Sequence, residues 1–169
     1  MTEINLIRIE TPIGKMIACA TDMGVCLLEF LGRKKFDHQF ESLLKHIPGN
    51  IVENETSILQ KLKVELSEYF NGKRREFTVP LQFAGTDFHK SVWNELLKIP
   101  YGKTFSYKQI AEKIGNPKAV RAVANANALN KISIIVPCHR VIGSNGSLTG
   151  YASGLDKKRW LLNLENKGI

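Results

Sequence analysis

The sequence predicts a mixed fold, α/β of the α+β kind. An N-terminal antiparallel sheet with helices is followed by a mostly helical C-terminal part that holds a helix-turn-helix and one short strand. Three observations carry this. The first thirty residues alternate in hydropathy like paired strands. From Thr86 onward, apolar residues recur at helical spacing behind capping signals. The charge is also segregated: residues 1–85 hold 11 Lys+Arg and 11 Asp+Glu, whereas residues 86–169 hold 13 against 5, so the whole net charge of +8 lies in the second half. The two domains are therefore placed at 1–85 and 86–169, with residues 82–86 as the linker.

The composition, 43% hydrophobic and 24% charged, belongs to a globular chain and excludes a disordered one. No apolar run reaches membrane-spanning length, and the acidic start MTEINLIRIE carries no signal-peptide pattern. Three cysteines without a CxxC fit a reducing compartment, so a cytoplasmic protein with no membrane partner is expected. The four histidines show no metal-ligand spacing with the cysteines, and no metal is expected. A basic half points to a polyanionic partner, most simply nucleic acid.

In chain order, residues 4–9, 15–20 and 25–30 read as antiparallel strands separated by Thr11-Pro12-Ile13-Gly14 and Asp22-Met23-Gly24. Cys19 and Cys26 fall inside two of them as packing residues. Phe36, Phe40, Leu43, Leu44 and Ile47 mark one helical face that ends at Pro48-Gly49. A second helix over residues 56–69 shows Leu59, Leu62, Leu66 and Phe70. Phe77, Val79 and Leu81 then alternate as a further strand. This half contains no recognisable chemistry and reads as a support domain.

Beyond the linker, Thr86 or Asp87 caps a helix that buries Phe88, Val92, Trp93, Leu96 and Leu97. Ser106 and Gln109 have capping-box spacing, and the short helix they open stops at Gly115. Asn116-Pro117 opens the next helix, residues 117–129. Two short helices joined by a tight Gly-Asn turn form a helix-turn-helix signature. The second is rich in alanine, with Arg121 its only cation past the first turn. Its small surface suits either a neighbouring helix or a nucleic-acid groove. A last helix, residues 155–166, presents Trp160, Leu161 and Leu164 as its apolar face, with Glu165 at the edge.

The chemistry concentrates in residues 132–141, ISIIVPCHRV. The run from Ile132 to Val136 predicts a short buried strand, which Pro137 ends for lack of an N–H. Cys138, His139 and Arg140 follow, then a glycine-rich loop from Gly143 to Gly154. Only a thiolate attacks, and a free cysteine is mostly thiol at neutral pH unless a base stands near it. A packing cysteine is the competing reading. The polar His-Arg pair, where a core strand would stay apolar, favours a nucleophile. Glu165 is either a surface carboxylate or one that reaches back to polarise His139.

Pro137-Cys138-His139-Arg140-Val141, preceded by Asn116-Pro117-Lys118-Ala119-Val120-Arg121-Ala122-Val123 and followed by Gly150-Tyr151-Ala152, resembles the O6-alkylguanine-DNA alkyltransferases (methylated-DNA–protein-cysteine methyltransferases). The resemblance covers residues 88–165. It implies DNA repair by direct reversal, in which one alkyl group moves from O6-alkylguanine in double-stranded DNA to the protein's own cysteine, with no turnover and no cofactor. O4-alkylthymine is a second candidate substrate. The resemblance makes Cys138 the acceptor, with His139 drawing its proton through a bridging water and Glu165 orienting the imidazole. Tyr107 would help evict the nucleotide and hydrogen-bond the leaving guanine, and Arg121 would fill the vacated stack. Asn130 would brace the active-site turn. Tyr151 would cover the flipped base, the carbonyls of Cys138 and Val141 would read its amino group, and the Ala152 N–H its oxygen. The helix bearing Lys118, Ala119, Arg121 and Ala122 would lie in the minor groove, where a small surface and a single arginine fit. A monomer is expected.

Many members have Asn-Pro and a second proline before the acceptor; Lys131 and Ser133 stand there here, and Ser153 replaces a common glycine. A roomier, less rigid alkyl pocket is the expectation. On the residues alone, two other classes stay open. A damage-flagging binding module of the same fold is opposed by Cys138. A Cys-His hydrolase or thiol transferase explains the dyad but not the basic half, the alanine helix or Arg121.

Overall fold

The opening alternation becomes β1 (Thr2–Thr11), β2 (Gly14–Thr21) and β3 (Gly24–Phe30) in the computed structural model, which describes residues 1–167. The chain forms two units, Met1–Gly85 and a second beginning at Thr86. In the first, β1–β2 and β2–β3 are antiparallel, with a register shift at Cys19/Ala20. After α1 (Phe36–His46) comes an unpredicted strand, β4 (Gly49–Glu53), which pairs parallel to β1 at the sheet edge; the order is β3-β2-β1-β4. The sheet is therefore mixed rather than antiparallel. β4 buries none of its residues, so it carries no hydropathy alternation and owes its shape to backbone pairing. Gly49, which reads as a stop signal, starts it because a Cβ there would collide with the Thr2 carbonyl.

Ile4, Leu6, Ile17, Leu27, Leu43 and Ile47 form a core with Cys19 and Cys26, against which Phe36 and Phe40 pack. Burial pushes the Cys26 thiol up to about 12 and Cys19 higher still, as inert packing thiols. Thr56 caps α2 (Ser57–Phe70), its hydroxyl accepting from Leu59 N–H. Residues 77–81 do not form the expected strand. Pro80 has no N–H to offer, and the Glu65 carboxylate takes the N–H groups of Thr78 and Val79 at 2.9 and 3.2 Å, leaving a single bridge, Val25 to Leu81.

The second unit opens with α3 (Asp87–Leu96), capped by the Thr86 hydroxyl. It buries Val92, Trp93 and Leu96; Leu97, expected inside, is 40% exposed. β5 (Phe105–Ser106) leads into α4 (Tyr107–Lys113), where the capping box forms from both sides: Gln109 N–H donates to Ser106 Oγ and Ser106 N–H to Gln109 Oε1. The following helix, α5 (Val120–Ala128), begins three residues later than predicted. Asn116 to Ala119 close a turn instead, Ala119 N–H donating to Asn116 O at 3.0 Å, with Pro117 at the turn position its fixed φ suits. A 3₁₀ turn (Cys138–Arg140) precedes β6 (Val141–Ile142), which pairs parallel to β5. α6 (Leu155–Asn166) ends the description. No described helix is long and apolar enough to cross a membrane.

Candidate active site

The segment predicted as a strand, residues 132–136, is a buried turn. Val136 N–H donates to Ile132 O at 3.0 Å and Ile135 N–H to Ser133 O at 2.9 Å. Ile134 sits at φ 74°, a costly conformation for a β-branched residue. Asn130, just past α5, outcompetes any sheet partner: its amide donates to Val136 O at 2.8 Å and Ile132 O at 3.4 Å while its oxygen accepts from Ile132 N–H at 3.0 Å. Burial on all sides gave this turn the hydropathy of a core strand. Cys138 N–H then donates to Val136 O at 2.8 Å, which fixes where the thiol-bearing 3₁₀ turn starts.

That turn delivers three side chains to the interior, and α6 meets them with two more. The buried residues of α6 are Lys158, Leu161 and Glu165, not the predicted Trp160, Leu161 and Leu164; helical spacing holds, but two of the three carry charge. Glu165, 3% exposed, takes His139 Nε2–H at 2.7 Å on Oε2. It also takes a fork from Arg140, Nε to Oε1 at 2.7 Å and Nη2 to Oε2 at 3.0 Å. Arg140 is held in turn by Ile99 O at 2.7 Å and lies over the Tyr101 ring at 5.7 Å. Burial alone would raise the Glu165 carboxyl; the hydrogen bonds and charges of His139 and Arg140 outweigh it and hold the group well below the usual carboxylate range. Burial drives His139 the other way, below the ordinary imidazole value, and Arg140 and Lys158 add to that against the pull of Glu165. The imidazole is therefore neutral at physiological pH. Because a carboxylate only accepts, Nε2 bears the proton. Nδ1, buried and without a hydrogen bond among the described residues, is left as a base.

Wholly buried Lys158 closes the other side. Its ammonium donates to Val141 O at 2.6 Å and Thr149 O at 2.8 Å, tying the middle of the glycine-rich loop to the strand that precedes it. Burial brings it down to about 8, against the influence of Cys138. Thr149 O also accepts the Tyr107 hydroxyl at 3.1 Å. Burial raises that phenol, and Cys138 adds to the effect. Gly150, at φ 61°, brings backbone close to the same hydroxyl: a Cβ there would lie 3.4 Å from it. No group of three or more His, Cys, Asp or Glu that could hold a metal ion occurs among the described residues.

Residues 87–167 match the family described as 6-O-methylguanine DNA methyltransferase, DNA binding domain, and residues 7–83 its ribonuclease-like domain. The chain is 49% identical over 157 residues to a methylated-DNA–protein-cysteine methyltransferase of Methanosarcina acetivorans, covering 92% of this chain and 94% of that protein. The chain belongs to the 6-O-methylguanine-DNA methyltransferase family. An inducible Bacillus subtilis member is 48% identical over 142 residues, 83% of this chain and 79% of its own. The crystal structure of the Mycobacterium tuberculosis O6-methylguanine methyltransferase superposes with a TM-score of 0.82 at 38% identity, over 100% of this chain and 95% of that one. The Mycobacterium tuberculosis OGT in complex with DNA gives 0.81 at 39%, over 98% and 93%.

Within this methyltransferase family member, the residues singled out in the sequence fall into three groups. Cys138, His139, Glu165 and Asn130 are all buried, as are Val141 and Ser133; Glu165 meets His139, and Asn130 holds Val136, two residues before Cys138. Tyr107 joins Val141 through the Thr149 carbonyl and Lys158. Tyr151, Ala152 and Ser153 lie half-buried in the loop that Lys158 ties down. Lys118, Arg121 and Ala122 are exposed at the start of α5, with Ala119 partly so. Sequence reasoning missed Lys158, which sits in a run of charges that reads as a solvated face. It also gave no separate role to Arg140 or to Asn127, whose amide reaches the Cys138 carbonyl at 3.4 Å. The only available signal was position: Lys158 stands one turn before Leu161 and two before Glu165.

Proposed function

We propose that this chain repairs DNA by moving one alkyl group from the oxygen of O6-alkylguanine to Cys138, irreversibly and without a cofactor. The observation that carries this reading is the buried chain Arg140–Glu165–His139, which ends in an imidazole nitrogen without a hydrogen bond among the described residues, one residue from the reduced Cys138. Glu165, kept ionised by Arg140, fixes the imidazole with Nδ1 as acceptor. His139 takes the thiol proton through a water, the sulfur attacks the alkyl carbon, and the carbon–oxygen bond breaks with its electron pair returning to the purine. Tyr107 turns its hydroxyl from the Thr149 carbonyl to the departing guanine, and the proton taken up by His139 returns through water to the purine ring, so the base is left neutral. A thioether has no good leaving group, so each chain reacts once. This is the Cys-His-carboxylate logic without a hydrolytic second half.

A stacked base cannot reach a thiol with 6% exposure, so the nucleotide is everted from the duplex. Arg121 and the small residues Ala119 and Ala122, with Lys118 against phosphate, present a surface that suits the minor groove. Asn130 braces the turn. Tyr151, Ala152 and Ser153 with Val141 and Ser133 enclose the base and its alkyl group. The protein acts as a monomer in the cytoplasm on double-stranded DNA, with alkylated guanine its substrate and alkylated thymine a secondary one. Replacing Cys138 with serine abolishes transfer from a methylated duplex while duplex binding persists, and serine at Cys19 or Cys26 changes neither. Transfer by the Cys138 variant would overturn the reading.

A further inference from the structure

Lys131 stands between Asn130 and the turn of residues 132–136, at a position where an ammonium has no obvious place. The residue is 3% exposed, and its ammonium lies over the Trp93 ring, 5.4 Å from the centroid. That ring is a fixed platform. Trp93 is buried on α3, its indole N–H donates to Ala126 O at 2.9 Å, and His89 stacks on it at 5.6 Å. One ring therefore grips the nucleophile's backbone from two sides. Through its N–H it holds the part of α5 next to Asn127, whose amide reaches Cys138 O at 3.4 Å. Through its face it holds Lys131, which leads into the turn that ends at Val136, whose carbonyl accepts the Cys138 N–H. The turn needs holding, because Ile134 at φ 74° is strained and persists only where its surroundings fix it. A proline at 131 would stiffen this entry through its own ring; lysine can do so only through its side chain. A methionine would fill the same length without the cost of burying an ammonium, so the charge on the ring is what the position retains.

We propose that Lys131 is a positioning residue for alkyl transfer: its ammonium, seated on Trp93, holds the turn that aims the Cys138 sulfur. The role rests on the alkyl-transfer reading above. Lys131 acts on the geometry of the reacting atoms, through the backbone of residues 132–138. It touches neither the duplex-binding face of α5 nor the His139–Glu165 pair, so it changes how fast a bound base reacts and not how tightly the duplex is held or at what pH the thiol ionises.

The test compares wild type, Lys131→Met and Lys131→Arg in single-turnover reactions with a duplex carrying O6-methylguanine, well below the melting temperature of each protein. Varying the protein concentration separates the saturating rate from the half-saturating concentration, and the saturating rate is followed across pH. Lys131→Met is expected to lower the saturating rate by roughly 10- to 100-fold, the scale for a slight misplacement of reacting groups. Its half-saturating concentration and the midpoint of its rate–pH profile stay those of wild type. Lys131→Arg keeps a cation that stacks on an indole and stays within about threefold of wild type. A wild-type saturating rate in Lys131→Met, even with a lower Tm, would make Lys131 a packing residue and overturn the proposal. So would a shifted pH midpoint, a loss confined to half-saturation, or an arginine variant as slow as the methionine one. Lys131→Gln, uncharged and of similar length, serves if the methionine variant does not fold, with the same expected pattern. If wild type itself transfers no methyl group to Cys138, the failure lies with the alkyl-transfer reading and not with Lys131.

Discussion

Replacing Glu165 with glutamine removes one negative charge from between His139 and Arg140 while keeping the side chain's size. Arg140 is 6% exposed and Glu165 3%, so the change occurs where water cannot compensate. The guanidinium loses the anion that held it at 2.7 and 3.0 Å and keeps the Ile99 carbonyl at 2.7 Å. Breaking a buried pair on one side costs ~3–5 kcal/mol; the surviving carbonyl and glutamine's own oxygen place this case near the lower end, about 3 kcal/mol. In a unit of this size that lowers Tm by roughly 12–24 °C. The pH dependence has a fixed sign. The Glu165 carboxyl lies below its ordinary value of 4.5 in the fold, so its stabilisation is complete above 4.5 and is lost as the pH falls through the lower folded value. The gap between wild type and variant is therefore full at neutral pH and narrows in acid. Catalysis shifts as well. Without the carboxylate, which raises His139, the imidazole is a weaker base, the thiol stays protonated to higher pH, and the midpoint of the rate–pH profile moves upward with duplex affinity unchanged. Thermal melts of both proteins from neutral pH downward, with single-turnover rates across pH, measure both effects. A Tm within a few degrees of wild type and an unmoved rate profile would refute the reasoning.

Two further outcomes follow from the α5 surface and the strained turn. Arg121→Ala slows repair of a methylated duplex by tenfold or more on the scale of lost binding contacts but leaves the reaction with free O6-methylguanine unchanged, since only the duplex needs its stack filled. Duplex affinity falls steeply with salt in both proteins; equal slowing on both substrates would place Arg121 elsewhere. Ser133→Pro installs a ring beside Ile134 and narrows the alkyl pocket. Overpacking costs ~1–3 kcal/mol for a benzyl group and little for a methyl, so the benzyl-to-methyl rate ratio falls by about tenfold; a ratio that holds or rises contradicts the pocket assignment.

Local patterns were legible in the sequence wherever one residue type does one job. The first three strands follow from alternation, and the Thr56 and Thr86 caps and the Ser106–Gln109 box from capping chemistry. Failures came where backbone pairing or burial overrode the pattern. β4 has no buried side chains to betray it, and Glu65 captured the N–H groups that a strand at residues 77–81 would have used. The turn at residues 132–136 mimicked a core strand because Asn130, six residues before Val136, supplies its hydrogen bonds from outside the run. In the candidate site, the PCHRV stretch named the thiol and imidazole, and Glu165 was visible as an option at a helix edge. Lys158 and Arg140 were not, because a charged residue shows its burial only when the carbonyls and carboxylate that receive it are in place.

In this mechanism one thiol takes the alkyl group once. Mixing the protein with excess duplex bearing O6-methylguanine, and following intact mass, peptide mass and remaining methylated base together, tests it directly. One methyl per chain is expected, carried by the peptide that contains Cys138, with repair stopping at one equivalent of base per protein. A methyl on Cys19 or Cys26, no gain in mass, or repair that continues past one equivalent would contradict it.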